Sequence, residues 1–159
     1  MKWRELNIVG DPFFASAPVC TTVTLDIEAT PEQVWEVLAA DDAVVSWSPL
    51  VTAASWAGER GVGAVRTVAI AKVLSVQERF YRWDENSRMT FAATRTTGPG
   101  IRAFAEDYVL TEQVGSTRLD WTVAIDVPAP LRAAGRPVSA GLGAAVRQLA
   151  KGLHHRVVG

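Results

Sequence analysis

Val19-Cys20-Thr21-Thr22-Val23-Thr24-Leu25-Asp26-Ile27, followed by Thr30-Pro31-Glu32-Gln33-Val34-Trp35-Glu36-Val37-Leu38, sets a strand directly before a helix. The first segment is rich in Val and Thr and reads as a strand. The second is a well-marked helix. Thr30 can cap it, Pro31 suits its first position, and Gln33 completes a Thr-x-x-Gln capping box. Val34, Trp35, Val37 and Leu38 give it an apolar side. Asp41-Asp42 is expected to start a second short helix through Val44, Val45 and Trp47, ended by Pro49. From there the periodicity changes from helical to two. Strands are expected near 50–57, 63–71, 74–84, 87–95, 101–113 and 117–127, separated by turn chemistry such as Asp84-Glu85-Asn86-Ser87, Thr97-Gly98-Pro99-Gly100 and Gly115-Ser116. A helix from about Pro137 to His155 follows. Its stripe is Leu142, Val146, Leu149 and Leu153, widened by Val138, Ala145 and Ala150. At ~27 Å it is long enough to cross several strands. Residues 1–17 read as an irregular lead-in and 18–156 as one domain.

The fold class is therefore α+β. A curved antiparallel sheet of seven strands, with two short helices after the first, is expected to wrap around a long C-terminal helix. Such a packing can leave a space between helix and sheet. Alternation along the strands sets the inward face. Leu119, Trp121, Val123 and Ile125 share it with Phe104, Glu106, Tyr108 and Leu110. Val76, Glu78 and Phe80 share it with Met89, Phe91 and Ala93, and Arg66, Val68 and Ile70 point the same way. Four polar residues thus stand on an apolar wall: Arg66, Glu78, Glu106 and Tyr108. One β-bulge would reverse part of this assignment.

Composition narrows the function classes. The chain has 159 residues, 48% of them apolar, and a net charge of −1. A chain of that length suits a single core that buries roughly 70% of its unfolded surface. No basic run or stripe supports nucleic-acid binding. No window reaches the ~20 apolar residues of a membrane span, and the N-terminus lacks a signal-peptide run, so a cytoplasmic location is expected. The single cysteine, Cys20, excludes an internal disulfide and reads as a small buried strand residue. With only His154 and His155, both in the last turn of the final helix, neither a metal site nor a histidine base is expected. No cofactor is expected either. Gly58-Glu59-Arg60-Gly61-Val62-Gly63 lies between strands with no helix after it, so it reads as a hairpin turn rather than a phosphate loop. Trp35, Trp47 and Trp121 are expected in the core, with Trp56 and Trp83 facing outward or covering a sheet end.

The chain resembles the START-like (SRPBCC) helix-grip superfamily. That group includes the Bet v 1 allergens, the plant abscisic-acid receptors and bacterial polyketide cyclase/dehydrase-type proteins. Ala29–Leu38 is similar to the superfamily's Ala-x-x-x-x-Val-Trp first helix. Val44-Val45-Ser46-Trp47-Ser48-Pro49 resembles its second short helix. Val76-Gln77-Glu78-Arg79-Phe80 with Trp83-Asp84 resembles an internal hairpin, and Tyr108-Val109-Leu110 with Gly115–Leu119 resembles the last one. The resemblance spans about residues 18–156. It implies a cavity for a mostly apolar small molecule. It places Glu78 and Arg66 at cavity positions. It does not fix oligomeric state, monomer or homodimer. The abscisic-acid receptors carry a longer, Pro-containing gate where this chain has only Ala71-Lys72-Val73-Leu74, so hormone-style gating is not expected.

Three functions remain open on the sequence. The first is binding of an apolar or aromatic molecule, lipid or polyketide-like, as carrier or sensor. The expected lining is Arg66, Val68, Glu78, Phe80, Phe91, Tyr108, Trp121, Val123, Leu142, Val146 and Leu149. The second is a polyketide cyclase/dehydrase (aromatase), with Arg66 or Tyr108 polarising a carbonyl and Glu78 or Glu106 moving a proton. The third is a partner-binding module whose cavity is filled by its own side chains.

Overall fold

The computed structural model describes residues 2–159. The elements are β1 (Arg4–Glu5), α1 (Phe13–Ser16), β2 (Val19–Ile27), α2 (Pro31–Ala39), β3 (Val51–Ala57), β4 (Val65–Ile70), β5 (Leu74–Asp84), β6 (Arg88–Thr96), β7 (Ala103–Gln113), β8 (Ser116–Asp126), α3 (Ala129–Ala133) and α4 (Gly135–Val158). Seven strands pair antiparallel in the order β2-β8-β7-β6-β5-β4-β3. With α4 behind them they form the helix-grip fold. No helix among the described residues is long and apolar enough to cross a membrane.

The capping box of α2 forms as the sequence predicts. The Gln33 amide donates to Thr30 Oγ1 at 3.3 Å, and the Thr30 amide donates to Gln33 Oε1 at 2.9 Å. Its buried side is Val34, Trp35 and Leu38. The segment expected as the second short helix is instead a run of turns over 41–47. It keeps two helix-like bonds, Ser46 N–H to Asp42 O and Ser48 N–H to Val44 O, but Val44 has φ of 72°. A β-branched residue in the left-handed region ends any regular helix there.

The lead-in is more ordered than its sequence suggests. β6 and β7 pair only from Arg88/Val109 to Ala92/Ala105 and then part. The N-terminal chain fills that split. β1 pairs with Thr96 and Arg95, the Leu6 amide donates to Thr94 O, and the Asn7 amide donates to Arg102 O. Parting strands leave backbone groups that need partners, and this segment supplies some of them. Leu6 is buried among Val51, Val68, Val76 and Ala93.

Two bulges redirect side chains. At Tyr81 the β5–β6 register slips between Phe80/Phe91 and Arg82/Thr90. Phe80 and Trp83 therefore both face inward, and their rings meet at 5.3 Å. At Thr94 the register slips between Gln77/Arg95 and Glu78/Ala93, which turns Arg95 outward onto Gln77 and Thr96 inward. Trp56 is paired with Arg66 and shares its inner face. Trp56 and Trp83 thus complete the inner aromatic layer instead of facing solvent.

α4 begins two residues earlier and ends three later than expected, and α3 occupies the Pro-rich approach. Its buried face is Gly143, Val146, Ala150 and Leu153, while Ala145 is exposed. The helix leans on β2, the sheet edge, more than on any other strand. Gly152 seats it: an added Cβ would lie 2.0 Å from the Trp47 carbonyl oxygen. Cys20 is exposed on β2, not buried, because its neighbours Val19 and Val23 hold the inner positions there.

Candidate functional site

Because α4 leans toward β2, the concave face of β4–β7 is only partly covered. A pocket of about 170 Å³ lies there. Of the candidate site residues, Arg66, Val68, Glu78, Phe91, Glu106, Tyr108, Trp121 and Leu149 line it. Phe80, Val123, Leu142 and Val146 do not. Phe80 is fully buried between Trp56 and Phe91, at ring-centroid distances of 5.2 and 4.9 Å. Val123 and Val146 are packed in the core, and Leu142 rests against it. Leu149 alone represents α4 on the wall. The rest of the wall comprises Ile70, Val76, Phe104 and Ile125, which alternation placed on the inner face, together with Leu74 and with residues that alternation missed: Leu6 from the lead-in, Val44 and Trp47 from the turns, Val51, Ile101 and the bulge-turned Thr96.

An aromatic row crosses the sheet beneath the pocket. It runs Trp56, Phe80, Phe91, Tyr108, Trp121 and Trp47, with successive centroids 5.2, 4.9, 6.1, 4.9 and 5.6 Å apart. Within it sits a cross-strand ion pair, Arg66 Nε donating to Glu78 Oε2 at 2.7 Å, with side chains 4% and 7% exposed. The guanidinium carbon lies 5.2 Å from the ring centroids of Trp56, Phe80 and Phe91. Burial opposes the Arg66 charge, but the attraction of Glu78, Tyr108 and Glu106 together with the Glu78 hydrogen bond outweighs it and keeps the guanidinium protonated. Burial pushes the Glu78 carboxyl up, while Arg66 pulls it back.

Glu106 forms the second polar centre. Its Oε2 accepts from Tyr108 Oη at 2.6 Å and from Trp121 Nε1 at 2.9 Å. Glu106 is half-buried, and it lines the pocket, so its accessible surface faces the cavity. Burial pushes its carboxyl up to about 7, aided by the charge of Glu78. The Tyr108 hydrogen bond, Arg66 and the Trp121 hydrogen bond oppose the rise. Burial, then the Glu106 charge, holds Tyr108 well above the ordinary phenol range, so it remains a donor. An acid that is half-ionised near neutral pH can give or take a proton, or hold a hydrogen-bonding ligand. Among the described residues no three His, Cys, Asp or Glu side chains converge on a possible metal site.

Residues 18–158 match the family described as polyketide cyclase / dehydrase and lipid transport. The chain belongs to this family. An uncharacterized protein of Mycobacterium tuberculosis is 34% identical over 128 residues, covering 79% of this chain and 77% of the relative. Among solved structures, a START superfamily protein from Mycobacterium smegmatis superposes with a TM-score of 0.71 at 16% identity, over 87% of this chain and 96% of that one. Ara h 8.0201 superposes with a TM-score of 0.67 at 15% identity, over 87% and 98%. These likenesses establish the START/Bet v 1-like fold for this polyketide cyclase/dehydrase-family chain. The polar pair and the Glu106 centre are features of its own pocket.

Proposed function

We propose that this chain binds an apolar or aromatic small molecule between α4 and the sheet, as a cytosolic carrier or sensor. One observation carries the reading: a largely apolar pocket whose few polar residues, Arg66, Glu78, Glu106, Tyr108 and Thr96, stand on otherwise hydrocarbon walls. That is the usual composition of a small-molecule site. Open volume on the concave face weighs against a module whose cavity is filled by its own side chains. A long lipid would need the wall around Leu149 to move outward, since about 170 Å³ holds little more than one ring.

The test is native mass spectrometry of gently purified protein, then denaturing extraction and identification of the released molecule. One apolar or aromatic molecule per chain is the expected result. A protein that stays ligand-free and takes up no candidate from an apolar metabolite mixture would overturn the reading.

A second reading, cyclase or dehydrase chemistry, is favoured by Glu106, poised near pH 7 beside the Tyr108 hydroxyl. Glu106 would take a proton from the ligand while Arg66 or Tyr108 steadies the developing oxyanion. It is distinguished by incubating the extracted ligand with the protein. A product that forms with the parent and fails to form with Glu106→Gln supports the enzyme; an unchanged ligand supports the carrier.

A further inference from the structure

The charges in the pocket do not balance, and the imbalance has a direction. One guanidinium faces two carboxyl groups, and that guanidinium is already engaged by Glu78 at 2.7 Å. Resting on the reading above, we propose that the pocket selects an uncharged, single-ring compound with a hydrogen-bonding group at each end, and discriminates against its carboxylate counterpart.

Size comes first. The pocket volume of about 170 Å³ is close to that of an apolar cavity of roughly 150 Å³ that accommodates benzene. Placement comes second. Glu78 on β5 pairs with Ala93 of β6, and Glu106 on β7 pairs with Phe91 of β6. The two carboxyl-bearing positions therefore flank β6 at two strand spacings, roughly 10 Å between backbones. Phe91 lies between them on the floor, a surface on which a ring can stack.

Hydrogen bonding supplies the polarity of each end. Glu106 Oε2 takes both internal donors, while Oε1 has no partner among the described residues. Arg66 uses Nε on Glu78, and its two Nη groups have no partner among the described residues. A hydroxyl at one end of a ring can donate to Glu106 Oε1. A carbonyl at the other can accept from an Arg66 Nη. A carboxylate in the carbonyl's place would add a third acidic group beside one already paired cation. In a site walled by hydrocarbon that added charge is poorly compensated. An amide or ketone of the same shape adds none.

The matched probes are 3-hydroxybenzamide and 3-hydroxybenzoate, which share a shape and differ in charge. Calorimetric titration at pH 7 measures each affinity, and the indole N–H resonance of Trp121 reports whether the probe sits beside Glu106. The amide is expected to bind about tenfold tighter or better, and to move that resonance. Glu106→Gln removes one of the two acids, so the preference is expected to shrink several-fold in that variant. Carboxylate binding equal to or tighter than the amide, with the same resonance moving, would overturn the charge rule and leave a binding pocket in place. A preference unchanged in Glu106→Gln would also overturn it. Failure of both probes to move the Trp121 resonance at millimolar concentration would overturn this single-ring assignment, while the broader binding reading falls only on the extraction and uptake test above.

Discussion

The two faces of the sheet each carry a cluster of two carboxyl groups, arginine and a tyrosine, with opposite outcomes. On the convex side, Asp11 accepts from Tyr81 Oη and Arg82 Nη1, each at 3.0 Å, and pairs again through Arg82 Nη2. Asp107 accepts from Arg88 Nε at 3.0 Å, Arg88 Nη2 at 2.9 Å and Thr90 Oγ1 at 2.7 Å. Two arginines meet two aspartates, and all four carboxylate oxygens are engaged. Arg82 holds the Asp11 carboxyl below its usual range. On the concave side one arginine meets two glutamates, and Glu106 is pushed up instead. A closed, balanced cluster fastens the lead-in to the sheet. An open, unbalanced one keeps bonding capacity for something else.

Removing Glu78 is expected to have the largest effect on the concave cluster. Glu78→Ala leaves the Arg66 charge buried beside Glu106 alone, and is expected to cost about 3–5 kcal/mol in urea unfolding. A cost below about 1 kcal/mol would show that Glu106 takes over as counter-ion and that the pair is not a structural unit.

Glu106→Gln is expected to act through pH. The folded-state value of Glu106, about 7, lies above the ordinary 4.5. The folded chain therefore keeps a proton that the unfolded chain has released between those values, and stability falls as pH rises through that window. Glu78, Arg66 and Tyr108 are the charged or titratable groups that act on it. The Gln variant should lose this fall, matching the parent near pH 4 and exceeding it by up to about 3 kcal/mol at pH 8. Unfolding midpoints across pH 4–8 that run parallel for the two proteins would reject the shifted acid.

Trp121→Phe removes one donor to Glu106 while keeping an aromatic ring in the row. It is expected to cost about 1–2 kcal/mol and to raise the Glu106 titration midpoint followed by carboxyl carbon NMR. A midpoint that falls would mean the indole N–H does not stabilise the carboxylate. The smallest effect belongs to the convex face. Asp11→Asn, at an ion pair whose Asp side chain is 48% exposed, should cost at most about 1 kcal/mol and leave pocket binding unaltered. A change in ligand affinity in that variant would join two faces that the comparison holds apart.

Much of this was legible in the chain. The capping box at Thr30–Gln33, the five-strand run after Gly63 and the helical stripe ending at Leu153 all follow from periodicity and local chemistry. Strict alternation put Arg66, Glu78, Glu106 and Tyr108 on one face, and the register keeps them there. Alternation failed where a bulge intervenes, at Tyr81 and Thr94, because an extra residue changes parity without leaving a composition signal. It also failed where the wall comes from outside the sheet. Leu6 has no periodic context, and Val44 adopts a positive φ that its residue type disfavours. The helix stripe predicted which residues would be buried better than which would line a space. Which side of α4 faces the pocket depends on its lean toward β2, a tertiary choice that no single segment encodes.

The split between β6 and β7 also imposes a timetable. Leu6 and Asn7 leave the ribosome about ninety residues ahead of Thr94 and Arg102, the residues they pair with, an interval of roughly 5–20 s at ordinary synthesis rates. Until then the segment has no ladder to join, and its docking carries the loop-closure cost of distant pairing. One wall of the pocket is thus laid by a piece of chain that must wait for the sheet to be made. A bulky fusion placed just ahead of residue 4 would slow or block that closure while the hairpins from β3 to β8 fold normally.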